Sequence, residues 1–281
     1  MQNYFARTDL AAESSARLDK VYSGLISEDK IIENCRVNEV RITDNEAANA
    51  VGKPIGSYYT LQMDEFVRRS ENSFSDCASA LSTILNSIHA VKNASSYLVA
   101  CLGNRLITPD AVGPCTADKM IVTRHLKASM PEAFAAFSTV SVLRTGVLGT
   151  TGIESADTLK SIVDTVKPDC VIAVDALASG EFERLCRNIQ ICDTGISPGS
   201  GVGNNRDAIN KNTLGVPVVA IGVPTVIDGS ALSENKSAET MFVTPRNIDE
   251  LVSSISKLIA YGINLALHEG ITLSDIDLLV E

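Results

Sequence analysis

Beyond residue 95 the chain alternates short, almost wholly apolar runs with longer stretches in which apolar residues recur every three or four places. The runs are Ser96-Tyr97-Leu98-Val99-Ala100-Cys101-Leu102, Cys170-Val171-Ile172-Ala173-Val174 and Val216-Pro217-Val218-Val219-Ala220-Ile221-Gly222-Val223. Strands covered on both faces read this way. Ser138 to Leu143 and the shorter Ile189-Gln190-Ile191-Cys192 are also strand-like. Between them, Ile153, Ala156, Leu159, Ile162, Val163 and Val166 share one side of a helix that Pro168 ends. Ile248, Leu251, Ile255, Leu258 and Ile259 stripe a closing helix over 247–268. Such alternation predicts an α/β fold, a mostly parallel sheet with helices on both faces.

The first third reads differently. Residues 1–36 are polar and acidic with weak periodicity, which suggests an arm or prosegment rather than core. Residues 37–62 hold two strand-like patches, Val37, Val40 and Ile42, then Tyr58-Tyr59-Thr60-Leu61 after the turn signal Gly52-Lys53-Pro54-Ile55-Gly56. They suggest a small strand-containing extension. Over 64–92, Leu81, Ile84, Leu85, Ile88 and Val91 predict a helix. Thr108-Pro109-Asp110 reads as the entrance of another, running to about His125, because proline is tolerated at the first helical position. Thr151-Gly152-Ile153-Glu154 has capping-box spacing.

Composition narrows the class. The chain has 281 residues, 45% hydrophobic and 21% charged, with a formal charge of -10. That sign repels phosphate backbones, so no direct nucleic-acid partner is expected. No apolar run approaches the roughly 18 residues that span a bilayer, and the N-terminus lacks the basic-then-apolar layout of a secretory signal. Seven cysteines form no C-x-x-C pair, which disfavours a zinc site or a disulfide framework and suits a reducing cytoplasm. Small buried hydrophobes are the plain reading of these thiols.

Open α/β sheets bind ligands at the carboxyl ends of their strands. Two acids are expected there. Asp175 directly follows the run 170–174, and Asp110 lies in the first turn after the strand 96–102. Facing carboxylates divide labour, one kept protonated as an acid and the other anionic as a base. The same pair would suit a divalent metal. The plain alternative for each is local: a first-turn aspartate gains about 0.3–1 kcal/mol from the helix dipole alone, and Asp175 would serve equally as an N-cap.

Other features are weaker. Asp193-Thr194-Gly195 matches the triplet of pepsin-like proteases, but those are two-fold-symmetric β folds, so a turn is the better reading. Pro198-Gly199-Ser200-Gly201-Val202-Gly203-Asn204 is dense enough in glycine to cradle an anion, yet lacks a P-loop ending. It reads as a tight loop edging the crevice. The histidines, 89, 125 and 268, have no zincin spacing.

Several blocks together carry a resemblance. They are Ala6-Arg7-Thr8-Asp9-Leu10-Ala11, Gly103-Asn104, Thr108-Pro109-Asp110-Ala111-Val112-Gly113-Pro114, Gly149-Thr150-Thr151-Gly152-Ile153-Glu154, Ile172-Ala173-Val174-Asp175-Ala176-Leu177-Ala178, the segment 189–204, and the closing helix with Gly262, Asn264 and His268. In this order, over nearly the whole chain, they resemble the germination proteases of spore-forming bacteria, which degrade small acid-soluble spore proteins. The resemblance implies an α/β fold related to the hydrogenase-maturation peptidases (phosphorylase/hydrolase-like), a homotetramer in the spore core, and an aspartic-type endopeptidase. Its essential aspartates would be Asp110 and Asp175, with Asn104, Gly199, Gly201 and Gly203 shaping the cleft. It also implies a self-processing zymogen. Asp9-Leu10-Ala11 has the form of the family's cleavage sites, so cleavage is expected between Asp9 and Leu10, leaving residues 1–9 as prosegment and 10–281 as one peptidase domain. No cofactor and no protein-held metal are called for, although a metal-assisted route stays open. Cys101 and Cys115 stand near Asp110 where the family usually has glycine and often a basic residue, and the stretch between Asp228 and Val243 is short for the family. The rival readings are a nickel-sensing hydrogenase-maturation peptidase and a non-catalytic protein that binds an anion on the 198–204 loop.

Overall fold

The computed structural model describes residues 7–204, 206–229 and 241–280. Among these residues one continuous sheet holds β1 (Leu25–Ile32), β2 (Cys35–Ile42), β3 (Gly56–Gln62), β4 (Ser96–Leu102), β5 (Thr139–Gly146), β6 (Cys170–Ser179), β7 (Asn188–Cys192), β8 (Val218–Asp228) and β9 (Phe242–Val243). The order is β1-β2-β3-β7-β8-β6-β4-β5, with β9 beside β8. The α/β class holds. Parallel pairing belongs to β8, β6, β4 and β5, whereas β1, β2, β3, β7 and β8 pair antiparallel.

This antiparallel half corrects two expectations. The patches at 37–62 are not an appendage; they continue the main sheet through β3 and β7. Residues 1–36, read as an arm, contain β1 as an edge strand, and Leu10, Ala11 and Glu13 are fully buried. β1 escapes the hydrophobic pattern because Ser27, Glu28, Asp29 and Lys30 are exposed, as an edge strand tolerates. Charge holds it instead: Lys30 bonds Glu39 and Arg41 pairs with Glu28 across the β1–β2 ladder.

Helices cover both faces. On one, Ser73–Ser87 and Ile248–Leu267 pack together and, with Val112–Ala117, bury the larger core, which includes Leu81, Val99, Ile172, Ile221 and Ile259. On the other, Ser155–Val166 covers Leu98, Ala100, Val171 and Ala173, while Ala11–Ala16 and Asn45–Val51 cover Val40, Tyr58 and Ala220. The buried amide of Asn264 ties the last long helix to the loop beyond β4, accepting from Ile121 N–H at 3.0 Å and donating to Lys119 C=O at 2.9 Å.

The expected helix from Thr108 to His125 is broken. Thr108–Asp110 is a 3-10 turn, Val112–Ala117 is a short helix, and a separate helix starts at Arg124. Consequently Thr108 caps nothing and His125 sits at a helix start, not an end. The capping box at 151–154 is also absent. The helix begins at Ser155 after Glu154, Thr151 Oγ1 instead accepts from Ile153 N–H, and Ile153 is exposed.

Candidate active site

The ladder between β4 and β6 ends at the pair Cys101–Val174, one residue short of Asp175. β6 itself runs on to Ser179 beside β8. Asp175 is therefore an interior residue of a long central strand, neither a strand end nor a cap, and its side chain faces the gap that opens where β4 stops. It is buried, and its Oδ1 accepts from Ala176 N–H at 2.9 Å.

Asp110 reaches the same gap from the β4 side. Gly103, at φ +104°, turns the chain immediately after β4, a conformation that favours glycine, and any side chain there would strike the Asp110 backbone. The 3-10 turn Thr108–Asp110 follows, with proline in its first turn. The Asp110 carboxylate then caps the loop backwards, Oδ2 accepting from Asn104 N–H at 2.8 Å. Beneath, Gly113 lies against Leu102 N and the Val174 carbonyl, so the turn sits directly on the ends of both strands.

Asp110, Asp175, Asn104, Gly199 and Asp9 line one cleft of about 540 Å³, a volume ordinary for a ligand site. Burial pushes the Asp110 carboxyl up to about 6, against the opposing pull of the Asn104 N–H. The Asp175 carboxyl is raised well above its ordinary value, first by burial and next by the charge of Asp110, with the Ala176 N–H opposing and Asp9 adding to the rise. Both carboxyls thus hold their protons more tightly than an ordinary carboxylate does. Two carboxyls in unlike surroundings within one cleft are an arrangement that can divide the roles of proton acceptor and donor.

Three expected site residues lie beside the cleft rather than on its wall. Gly201 packs against the Asp9 carboxylate and Ala178, leaving no room for a side chain, and Gly203, at φ +71°, meets the Arg7 guanidinium. Leu10 is buried behind Asp9. The 198–204 loop does meet an anion, through the Ser200 hydroxyl, but that anion is Asp9 of the same chain. Asp193-Thr194-Gly195 is a turn that accepts from Ser57 N–H. Cys101 faces the larger core on the opposite side of the sheet from Asp175, and burial pushes its thiol up to about 12. Among the described residues no cluster of three or more His, Cys, Asp or Glu side chains is placed to hold a metal ion.

Sequence reasoning missed Gln190. It occupies the row Asp175–Gly222–Gln190 across β6, β8 and β7, so its side chain shares a face with Asp175. Its amide holds the backbone on both sides of Leu10, Nε2 donating to Asp9 C=O at 3.0 Å and Oε1 accepting from Ala11 N–H at 2.6 Å. The one available signal was a polar residue inside the apolar run 189–192.

A family profile described as germination protease matches residues 6–238. A germination protease from Clostridium perfringens is 37% identical, with 98% of each chain covered. One from Caldanaerobacter subterraneus subsp. tengcongensis is 40% identical, covering 95% of each. One from Bacillus cereus is 41% identical over 84% of this chain and 66% of its own length. Among solved structures, a NiFe hydrogenase maturation protease from Thermococcus kodakarensis aligns with 62% of this chain and 96% of its own, at 20% identity and a TM-score of 0.38.

Proposed function

The chain belongs to the germination protease family, and from that premise we propose that it is a self-processing zymogen whose Asp110 and Asp175 hydrolyse small acid-soluble spore proteins in the spore core. The family makes it a peptidase of spore germination.

One observation carries the mechanism: two carboxyls with upward-shifted proton affinities line the same cleft. Asp110, the more open of the two, takes a proton from a water molecule. The oxygen of that water bonds to the peptide carbonyl carbon, the carbon–nitrogen bond breaks, and Asp175 supplies the proton that leaves on nitrogen. Water thus ends as hydroxyl on the new acid and hydrogen on the new amine, and proton exchange between the carboxyls and solvent restores the start. The carboxyls titrate as a pair, so a pH–rate profile reports both together.

The zymogen reading rests on the placement of Asp9. Asp9 is on the cleft wall, and Leu10, across the bond proposed for cleavage, is buried behind it. Hydrolysis there would release residues 1–9. Glu13, fully buried and bonded to Ser179 Oγ and Gly180 N–H, would keep the new terminus docked on the end of β6. The proposed assembly is a homotetramer, for which sedimentation is the check; the exposed Ile26 and Ile31 on the β1 edge are a surface that another copy would cover.

The decisive experiment incubates the full chain at mildly acidic pH, sequences its N-terminus, and then assays hydrolysis of a small acid-soluble spore protein. Leu10 is expected as the new terminus, and Asp110→Asn and Asp175→Asn are each expected to abolish both reactions. Full activity in both variants would remove the carboxylate mechanism.

A further inference from the structure

Cys35 and Cys77, 42 positions apart in the chain, meet sulfur to sulfur at 3.5 Å. Cys35 opens β2 directly after the tight turn Glu33-Asn34, whose two residues take the left-handed backbone region at φ 46° and 64°. Cys77 lies in the helix Ser73–Ser87. A second contact joins the same two elements, Thr83 Oγ1 donating to Glu33 Oε1 at 3.3 Å. Both thiols are buried in the larger core, across the sheet from Asp175, yet both line a pocket of about 590 Å³ that Arg36, Gln62 and Arg68 also line. The two sulfurs are not equivalent. Their contact pulls the Cys35 thiol below its ordinary value, against burial and the charges of Asp76 and Glu33. The same contact, with burial, pushes the Cys77 thiol up. Cys35 is therefore the readier thiolate, the form that attacks electrophiles.

We propose that Cys35 and Cys77 are a modification site, where hydrogen peroxide entering the pocket converts the pair to a disulfide that ties the β1–β2 turn to the helix Ser73–Ser87. A disulfide bond is about 2.05 Å long, so about 1.5 Å of approach by two side chains separates the contact from the bond. The Cys35 sulfur bonds to one peroxide oxygen as the O–O bond breaks, and the other oxygen leaves as hydroxide, which takes up the Cys35 proton and becomes water. The Cys77 sulfur then displaces the oxygen held on Cys35, and that oxygen leaves as a second water with the Cys77 proton. Two thiols lose two electrons, and one peroxide gains them. Composition disfavours a framework of several bridges, but a single bridge between residues so far apart has no spacing signature. The bond closes the loop 35–77, which restricts the unfolded chain and so favours the folded one. The site stands apart from the cleft and does not rest on the peptidase reading.

The test treats the folded full-length chain with hydrogen peroxide, stops the reaction with catalase, alkylates the remaining thiols in denaturant and maps the digest by mass spectrometry without reduction. A peptide pair joined through Cys35 and Cys77 is expected, two hydrogens lighter than the separate peptides and split by dithiothreitol. The oxidised protein should melt about 4–7 °C higher than the reduced one, and dithiothreitol should reverse the shift. In Cys77→Ala the Cys35 sulfenic acid has no partner, so dimedone should label Cys35. In Cys35→Ala dimedone should leave Cys77 unlabelled. The mapping needs no variant, so a folding defect in either one cannot blur it. Recovery of Cys35 and Cys77 as alkylated thiols, or bridged to other cysteines instead of each other, overturns the site. A cross-link that leaves the melting temperature unchanged overturns the tie between turn and helix.

Discussion

Replacing Asp110 with asparagine should destroy hydrolysis and yet stabilise the protein, by an amount that depends on pH. Asparagine keeps an oxygen for the Asn104 N–H and removes only the charge. Moving the Asp110 carboxyl from an ordinary 3.8 to about 6 costs the folded state about 3 kcal/mol once both states are ionised. Solvent screening of this part-exposed group brings the figure to about 2 kcal/mol. The sign follows from proton linkage. The folded protein holds the Asp110 proton to a higher pH than the unfolded chain does, so raising the pH from about 4 to about 6 ionises the unfolded state first and drains stability. Below 4 both states are protonated and the penalty vanishes. Asp110→Asn should therefore match the wild type at about pH 3 and exceed it by about 2 kcal/mol at about pH 7.5, or about 3–4 °C in Tm for a chain of this length. Paired thermal or urea unfolding curves at the two pH values measure it. A variant whose stability differs from the wild type by the same amount at both pH values would show that the Asp110 carboxyl is not desolvated, and the assignment of acid and base would lose its basis.

Other expectations follow from single contacts. Gly113→Ala would drive a methyl group into Leu102 N and the Val174 carbonyl, both main-chain atoms, and should cost about 1–3 kcal/mol by urea unfolding; an unchanged midpoint would mean that the turn does not rest on the strand ends. Burial pushes the His268 imidazole down to about 4, with the Ile121 backbone opposing and Lys127 contributing. The unfolded chain therefore takes up that proton first as pH falls from about 6.5 to 4. His268→Phe should then flatten the acid limb of the stability curve by about 3 kcal/mol over that interval, and equal acid limbs in variant and wild type would count against a buried neutral ring. Because the described side chains offer no cluster of three metal-binding donors, hydrolysis should survive dialysis against EDTA; loss of activity restored by a divalent ion would replace the two-carboxylate mechanism with a metal-assisted one.

What could be read from sequence depended on how each segment is buried. β4 matched its apolar run residue for residue, since a strand covered on both faces carries no polar interruption. β6 was found but cut short, because Asp175 looks like the end of a run. The strand continues through Ala176 to Ser179, whose polarity is met by Glu13. β1 left no trace because its edge position removes the demand for apolar residues. The helix expected after Thr108 failed for a local reason: the chain spends 108–123 fitting a turn and a short helix onto the ends of β4 and β6, and Gly113 marks the closest approach.

The site divides along the same line. Asp110 and Asp175 were legible because charged residues next to apolar strands are conspicuous, and topology rules say where strand ends lead. Gln190 and Ser200 were not, because nothing about a glutamine in a strand or a serine in a glycine loop announces a partner almost two hundred residues earlier. Those partners came into view only when Asp9 was seen bonded to both β6 and the loop. Residues 9–13 thus take two places in the architecture. Leu10 and Ala11 are core, while Asp9 is on the wall of the cleft. A segment that merely completed the core would need neither a buried carboxylate at the cleft wall nor two donors aimed at it, since burying that charge is costly unless it is paired.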